Sequence, residues 1–292
     1  MIKMDDEAYI VLEDRGVVLL EGAEACDFLQ GLVSNDVTKA VGNTAVYAAL
    51  LNPQGKYLHD FFVFPFADGL AIDCERERLL DLVRRLNIYR LRAEVTIADA
   101  SDRFQVVALP GARSAPTLDH GAGALFADPR LAALGWRAVL PVDGAERLLS
   151  AAGFSRCDSE AFDALRLSLG VPDGSRDMVV DKAFLLESNF EELNGVDFDK
   201  GCYIGQENTA RQKRRGTIRR RLMPVEINGP TPAPETPIRL GAVDVGTMRS
   251  SRDGQGMAML RLEYVEKASQ SGEPLVAGDT RLTPVKPDWA RY

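Results

Sequence analysis

A proline-rich segment at residues 229–237 limits how the last quarter of the chain can fold. It reads Gly-Pro-Thr-Pro-Ala-Pro-Glu-Thr-Pro. Proline fixes φ and lacks a backbone N–H, so this segment fits neither a helix nor a central strand. The sequence that follows consists of short apolar runs separated by glycines, which is typical of small β-barrels. We therefore predict a C-terminal β-barrel over residues 221–292.

Residues 1–220 show strand and helix patterns that alternate irregularly, which favours an α+β fold over a doubly wound parallel sheet. Residues 9–12 and 17–20 predict a hairpin, and 45–51 and 57–64 predict two strands. Asn52-Pro53-Gln54-Gly55 between the last two has the residues of a tight turn. Helices are predicted at residues 23–34, 76–87 and 158–169.

Several classes of protein are disfavoured by what the sequence lacks. The chain has no apolar stretch long enough to span a bilayer, and its first residues do not resemble a signal peptide. It has two histidines and four dispersed cysteines with no CxxC pair, so neither a zinc site nor a stable metal site within one chain is expected. We expect a cytoplasmic protein with free thiols.

Charge is unevenly distributed along this acidic chain. Residues 211–221 carry seven positive charges and no acid, which leaves a formal charge of −15 for the rest of a chain whose total is −8. Cations at a helix C-terminus need no ligand, but seven exceed that need. The run predicts an anionic ligand, with polyglutamate, phosphate and RNA as alternatives. It contains no aromatic residue, which weakens base stacking as a mode of binding.

The octapeptide Lys200-Gly201-Cys202-Tyr203-Ile204-Gly205-Gln206-Glu207 holds the most chemistry in the chain. Its two glycines permit unusual backbone angles or close approach to a ligand. A helix is expected from Gln206, so Cys202 would lie near a helix N-terminus and beside Lys200. Both features favour a thiolate. The octapeptide therefore suggests a reactive thiol, and a buried structural cysteine is the alternative.

Three polar residues elsewhere are candidates for a site. Asp60 follows the Asn-Pro-Gln-Gly turn and could hold an amine or act as a base, unless it faces solvent. Glu187, with Asn189 nearby, could accept two N–H bonds from a pterin-like amidine edge, or lie as a surface acid in a turn.

At these residues the chain resembles a known family. The octapeptide is similar to the K-G-C-[FY]-x-G-Q-E signature of the YgfZ family, folate-binding iron–sulfur relatives of the glycine cleavage T-protein, and Arg211 matches the arginine that follows it. Further agreement covers residues 22–222, among them Asn52–Gly55 and Asp60. The resemblance implies three domains in a cloverleaf around a central channel. Domain one would comprise residues 1–48 and 157–220, with 49–156 inserted as domain two.

The same resemblance implies a function. It suggests an accessory factor, rather than an enzyme, that binds tetrahydrofolate or a one-carbon derivative, including polyglutamylated forms. This factor would assist assembly or repair of iron–sulfur enzymes and so support tRNA modification indirectly, with client enzymes or assembly proteins as partners. Cys202 is the expected functional residue, with Asp60 beside it. The expected folate-binding residues are Lys200, Gly201, Tyr203, Gly205, Gln206, Glu207, Glu187, Asn189 and Arg211.

Two other functions remain as alternatives. One is a folate-dependent aminomethyltransferase or other one-carbon transferase, in which Asp60 would hold the amine. Here the chain departs from the T-protein, which tends to carry paired acids where this chain has His59 and Asp60. The second is an RNA-binding module acting through residues 211–221, although the acidic remainder of the chain would repel RNA.

Overall fold

The computed structural model describes residues 7–112, 114–118, 121 and 123–291. Over these residues the chain forms two five-stranded sheets and a closed six-stranded barrel. The first sheet is antiparallel and has the strand order β3-β4-β5-β2-β6. Its strands are β2 (Arg15–Glu21), β3 (Val46–Leu51), β4 (Tyr57–Phe66), β5 (Gly69–Glu75) and β6 (Thr96–Asp99).

The second sheet has the order β10-β1-β7-β9-β8, in which only the β1–β10 pair is parallel. Its strands are β1 (Ala8–Val11), β7 (Phe104–Leu109), β8 (Ala124–Ala127), β9 (Trp136–Pro141) and β10 (Ser155–Arg156). The predicted hairpin of residues 9–12 and 17–20 is wrong, because β1 and β2 belong to different sheets. The chain crosses between the sheets at the turn that was expected to close the hairpin.

The two sheets pack face to face around a shared apolar core. Aromatic rings dominate this core, with Tyr47, Phe62 and Phe64 from the first sheet and Phe126 from the second. Helices cover the outer faces and bury further apolar clusters there. The helices are α1 (Ala25–Gln30), α2 (Leu79–Arg90), α3 (Ala145–Ala151), α4 (Ser159–Ser168), α5 (Gly174–Asp177), α6 (Gln206–Arg215) and α7 (Leu262–Ser271).

Four short 3₁₀ helices complete the helical elements assigned to the described part of the chain, at Val37–Lys39, Arg76–Arg78, Ala132–Leu134 and Leu186–Ser188. The helix predicted over residues 23–34 is shorter than expected. It ends at Gln30, because Val33 forms a bridge to Leu50 at the edge of the first sheet. Within the described ranges, no helix combines the length and apolar character needed to cross a membrane.

The predicted C-terminal barrel is confirmed and closes in the order β11-β14-β13-β12-β15-β16. Its strands are β11 (Arg220–Asn228), β12 (Pro237–Leu240), β13 (Val243–Arg252), β14 (Gln255–Arg261), β15 (Leu275–Ala277) and β16 (Thr280–Pro284). The proline-rich segment joins β11 to β12 and enters strand structure only at Pro237, the first residue of its strand.

The α+β prediction also holds, with helices segregated onto the outer faces of antiparallel sheets. The division of residues 1–220 into two domains stays a prediction. Its boundary after residue 48 falls inside β3, which runs without a break from Val46 to Leu51. The first sheet therefore does not divide at that point.

Candidate functional site

The cysteine of the octapeptide lies on an exposed loop that leads into α6. Cys202 is the exposed one of the four cysteines, whereas Cys74 is buried and Cys26 and Cys157 are half-buried. Gly201 and Gly205 have φ values of +94° and +81°, a region that side chains with a Cβ rarely adopt. The two glycines therefore shape the loop that presents the thiol to solvent.

Lys200 fixes the start of this loop. Its Nζ donates hydrogen bonds to the carbonyl oxygens of Val33 at 2.6 Å and Asn35 at 2.7 Å. Burial lowers the pKa of Lys200 to about 8, partly offset by the nearby Asp36 and Asp197 carboxylates. Its ammonium is thus directed into the segment after α1 rather than toward solvent.

The loop also packs against the Asn52–Gly55 turn, so the fold joins two motifs that lie about 150 residues apart in the sequence. A Cβ on Gly205 would lie 2.5 Å from the carbonyl oxygen of Asn52. Asn208 Nδ2 donates to the Gln54 carbonyl at 2.6 Å. The turn therefore forms the base on which the loop and the first turn of α6 rest.

The other octapeptide side chains divide between structural and exposed positions. The Tyr203 backbone N–H donates to Gln206 Oε1 at 3.2 Å. Burial of Tyr203 raises the pKa of its hydroxyl to about 12. By contrast, Glu207 and Arg211 are exposed on the outer surface of α6. The loop is held by Lys200, Tyr203 and Gln206, and Cys202 on it is exposed to solvent.

Glu187 and Asn189 contact the first strand of the barrel. Arg220 donates to both oxygens of Glu187 at 3.2 and 3.3 Å. Asn189 is fully buried, donates to the Leu222 carbonyl at 2.7 Å and accepts from Arg221 at 3.1 Å. Since its amide is occupied by β11, Asn189 is not free to contact a folate as the sequence suggested.

Asp60 lies in a different place, inside the molecule. Its carboxylate accepts hydrogen bonds from the hydroxyls of Tyr47 at 2.9 Å and Tyr57 at 2.7 Å. It is 4% exposed, so the solvent-facing alternative for Asp60 is wrong. His59 points to the opposite face of the sheet, where its Nε2 donates to Asp81 at 2.9 Å. Burial lowers the pKa of His59 to about 4 and keeps it neutral.

Asp60 lines a cavity of about 370 Å³ at the place where the two sheets meet the barrel. The walls come from both sheets, from α4 and from the barrel strand β13, which contribute Arg15, Asp60, Arg137, Phe162 and Arg252. The cavity therefore lies at the junction of the two five-stranded sheets and the barrel. Its volume is in the range of sites for small molecules and cofactors.

Sequence reasoning missed the buried ion pairs behind this cavity. Asp73 accepts from Arg15 at 2.6 Å and from Arg137 at 2.7 Å. Asp128 accepts from Arg137 at 2.9 Å and from Arg130 at 2.8 Å. The two guanidinium groups hold the pKa of Asp128 well below its usual range. An aspartate inside the apolar run Leu-Ala-Ile-Asp-Cys of β5 was the one sequence signal for this network.

A second charged group forms the wall between α4 and the barrel. Asp163 accepts hydrogen bonds from Arg166, Arg176 and Arg252. Asp177 accepts from Arg166 and from both the backbone N–H and the hydroxyl of Ser250 in β13. Bonds to three arginines hold the pKa of Asp163 well below its usual range despite burial.

The predicted site residues therefore fall into two places. Asp60 lines the cavity, whereas none of the predicted residues between 187 and 211 does, so far as the described residues define its walls. In the described part of the chain there is also no cluster of three or more histidine, cysteine or acidic side chains that could hold a metal ion. The molecule presents a polar internal cavity and a separate surface thiol.

Two known families match this chain. Residues 12–159 match the family described as GCVT N-terminal domain. Residues 219–292 match the family described as CAF17, C-terminal beta-barrel domain. The second match coincides with the six-stranded barrel.

Among curated proteins, the chain is similar to the mitochondrial iron–sulfur cluster assembly factors IBA57 of Mus musculus and Homo sapiens. Each is 33% identical over 95% of this chain and 84% of the relative. These relatives are named as mitochondrial, which contradicts the expected cytoplasmic location. Among solved structures, aminomethyltransferase T of the glycine cleavage system from Bartonella henselae is similar, with a TM-score of 0.75. At 14% identity it covers 97% of this chain and 86% of that one, and it shows the fold.

Proposed function

Since the chain belongs to the family that includes the iron–sulfur cluster assembly factor IBA57, we propose that it is a folate-binding accessory factor in assembly or repair of iron–sulfur enzymes. The narrower resemblance to YgfZ is part of this proposal. Indirect support of tRNA modification remains a prediction that follows from that resemblance.

The observation that carries the proposal is the presentation of Cys202. It is exposed on a loop that two glycines shape and that Lys200 ties to the segment after α1. A thiolate is the usual protein ligand of iron–sulfur clusters. Because one exposed thiol cannot complete a cluster site, Cys202 would act together with thiolates of a partner protein. The cluster is then cargo shared between two proteins.

The cavity around Asp60 has side chains that fit a folate. A pterin ring offers N–H groups that a carboxylate accepts, and the glutamate tail offers carboxylates that arginine binds. Asp14 and Asp60 supply acceptors. Arg176 also lines the cavity and is about half exposed; its guanidinium bonds to Asp163 and Asp173, and its remaining N–H groups would donate to the ligand. Arg15, Arg130 and Arg137 are already bonded to buried aspartates and would act mainly through their charge. When bound, a tetrahydrofolate would supply one-carbon or reducing chemistry.

The thiol is tested by replacing Cys202 with alanine in a strain that lacks this protein. We expect the activity of cluster-dependent enzymes to fall to the level of the deletion strain, while the purified variant keeps the wild-type unfolding midpoint. Cys157→Ala, which removes a half-buried thiol, is the matched control and should support wild-type activity. Full complementation by Cys202→Ala would contradict the role of the thiol.

Folate binding is tested by anaerobic calorimetric titration with tetrahydrofolate. We expect the wild type and Cys202→Ala to bind equally, because the thiol does not line the cavity. Asp60→Asn should weaken binding roughly tenfold or more, as loss of a charged acceptor costs about 1.5–3 kcal/mol. Wild-type protein that binds no tetrahydrofolate would contradict the folate part of the proposal and leave the thiol part standing.

A one-carbon transferase is the second candidate. The observation that favours it is the buried Asp60 carboxylate, which two tyrosine hydroxyls orient toward a cavity on a T-protein-like fold. Such a carboxylate can hold a substrate amine. Sustained turnover of an aminomethylated carrier protein with tetrahydrofolate would favour this function over the accessory role. Turnover that survives Asp60→Asn would exclude Asp60 as the group responsible.

A further inference from the structure

Part of the basic run found in the sequence lies on one side of α6, which ends at Arg215. Exposed positions recur at Glu207, Arg211, Arg214 and Arg215, a spacing that places them on one side of a helix, whereas Thr209 faces the interior. Arg219 is also exposed, just beyond the helix. We refer to Arg211, Arg214, Arg215 and Arg219 as the basic face.

The cations of this run differ in their partners. Lys213 pairs with Glu191, Arg220 with Glu187 and Arg221 with Glu192. The guanidinium groups of the basic face form no ion pair or hydrogen bond with any residue that the structure describes. The helix dipole accounts for cations in the last turn, but Arg211 lies mid-helix and Arg219 lies outside it. This face therefore has charge that the fold itself does not use.

The loop of the exposed thiol leads directly into the helix that carries most of the basic face. Cys202 precedes α6 by four residues, and a ten-residue helix is about 15 Å long. A partner protein that brings its own thiolates to a cluster at Cys202 would lie near the N-terminal end of α6. A cluster with thiolate ligands carries net negative charge, so the arginines would also favour its approach.

The charge of the rest of the molecule decides which anion fits best. The chain without residues 211–221 has a formal charge of −15, which would repel a long polyanion such as RNA. The basic face also lacks the aromatic side chains on which bases stack. A folded protein with a local acidic patch can contact the arginines while the rest of its surface stays away from the acidic part of this chain, so it is repelled less than a long polyanion.

We propose that the basic face of α6 is the docking surface for an acidic patch on the partner protein that shares a cluster with Cys202. This inference rests on the proposed function and names the surface chemistry of the partner. The arginines act by steering and orientation, and the thiol acts as the ligand.

Thiol–disulfide exchange with short peptides tests the inference on the full chain. Two peptides of equal length, one rich in glutamate and one in glutamine, each carry a cysteine activated as its 2-thiopyridyl disulfide. The Cys202 thiolate attacks the peptide sulfur, a new S–S bond forms, and 2-thiopyridone leaves and is measured by its absorbance. The rate with Cys202→Ala is subtracted to remove reaction at other cysteines.

We expect the acidic peptide to react with wild type about tenfold faster than the neutral one at low salt, and the difference to shrink as salt is added. The triple variant R211E/R214E/R215E should abolish or reverse the preference, measured as the ratio of the acidic-peptide rate to the neutral-peptide rate, so that any change in thiol reactivity common to both peptides cancels. The matched control R92E/R281E/R291E has the same change in net charge at exposed arginines elsewhere and should keep the preference.

The outcomes separate the two proposals. Equal rates for both peptides with wild type would overturn the docking surface and leave the thiol role intact. Rates no higher than those of Cys202→Ala with either peptide would show an unreactive thiol, and the docking inference would fail together with the proposed function. If single-stranded RNA suppressed the acidic-peptide reaction far more than polyglutamate at equal charge, the surface would be assigned to RNA instead.

Discussion

At the residue scale, the close approach of Gly205 to Asn52 decides which side chains the cysteine loop accepts. An added Cβ would meet the Asn52 carbonyl at 2.5 Å, and the backbone φ of +81° already disfavours other residues. Gly216 ends α6 with a φ of +65°, but no atom lies within 4 Å of the place its Cβ would occupy. A side chain at Gly205 would therefore cause both a steric clash and backbone strain, whereas one at Gly216 would cause backbone strain alone.

We predict that Gly205→Ala lowers the free energy of unfolding by roughly 2 kcal/mol or more, and Gly216→Ala by about 1 kcal/mol. The reason is that only the first substitution adds a clash with a backbone oxygen. Urea unfolding with an unchanged m-value measures the difference. Equal losses in the two variants would show that the loop and the Asn52–Gly55 turn are not in tight contact.

The buried His59 makes stability depend on pH in a defined window. Its pKa is about 4 in the folded protein, below the ordinary histidine value of 6.5 that we assign to the unfolded chain, because burial disfavours its charged form. The unfolded chain therefore binds more protons between these values. The stability that neutral His59 contributes is complete above pH 6.5 and is lost as the pH falls toward 4.

We predict that the wild type loses up to about 3 kcal/mol of unfolding free energy between pH 7 and pH 4 through this residue. His59→Gln should show a flatter pH profile over the same range, whatever its stability at pH 7, because it has no proton to gain there. Chemical unfolding at a series of pH values measures the slope. Parallel profiles would rule out His59 as the titrating group.

At the element scale, the short 3₁₀ helix Leu186–Ser188 connects the α+β region to the barrel. Asn189 follows it with a φ of +62° and holds the backbone of β11 through Leu222 and the side chain of Arg221. Asn194 has a similar φ of +57°, but its hydrogen bond to Pro129 is exposed. Both asparagines have a left-handed backbone, but only Asn189 bonds to a strand of the barrel.

We predict that Asn189→Ala costs about 2 kcal/mol more than Asn194→Ala, because it removes one hydrogen bond from the buried Leu222 carbonyl and one from the buried Arg221 guanidinium, which keeps its pair with Glu192. Thermal unfolding of the two variants, compared with wild type, measures this difference. A difference below about 0.5 kcal/mol would mean that β11 is held to the rest of the molecule by other contacts.

At the scale of the whole molecule, buried ion pairs tie the first sheet to the second. Asp73 of β5 accepts from Arg15 of β2 and from Arg137 of β9, so one carboxylate bonds both sheets. The three side chains are at most 7% exposed. Removing the charge would leave two desolvated guanidinium groups short of an acceptor.

We predict that Asp73→Asn lowers the unfolding free energy by about 3–5 kcal/mol, the cost of breaking a buried pair. Asp244→Asn, which breaks the exposed pair with Arg239, should cost no more than about 1 kcal/mol. Urea midpoints of both variants test this prediction. Similar small losses in both would show that the sheets are joined mainly by their apolar core.

The sequence alone determined the features that depend on local chemistry. Proline and glycine patterns predicted the barrel and the turn at Asn52–Gly55, and the octapeptide located the loop of Cys202. Only the tertiary structure decided which side chains meet. Lys200 bonds to Asn35 across 165 positions and Arg15 to Asp73 across 58, while Asp60 is enclosed by elements from all three sheets. Spacing along a chain fixes helices and turns, but burial and pairing depend on which distant strands pack together.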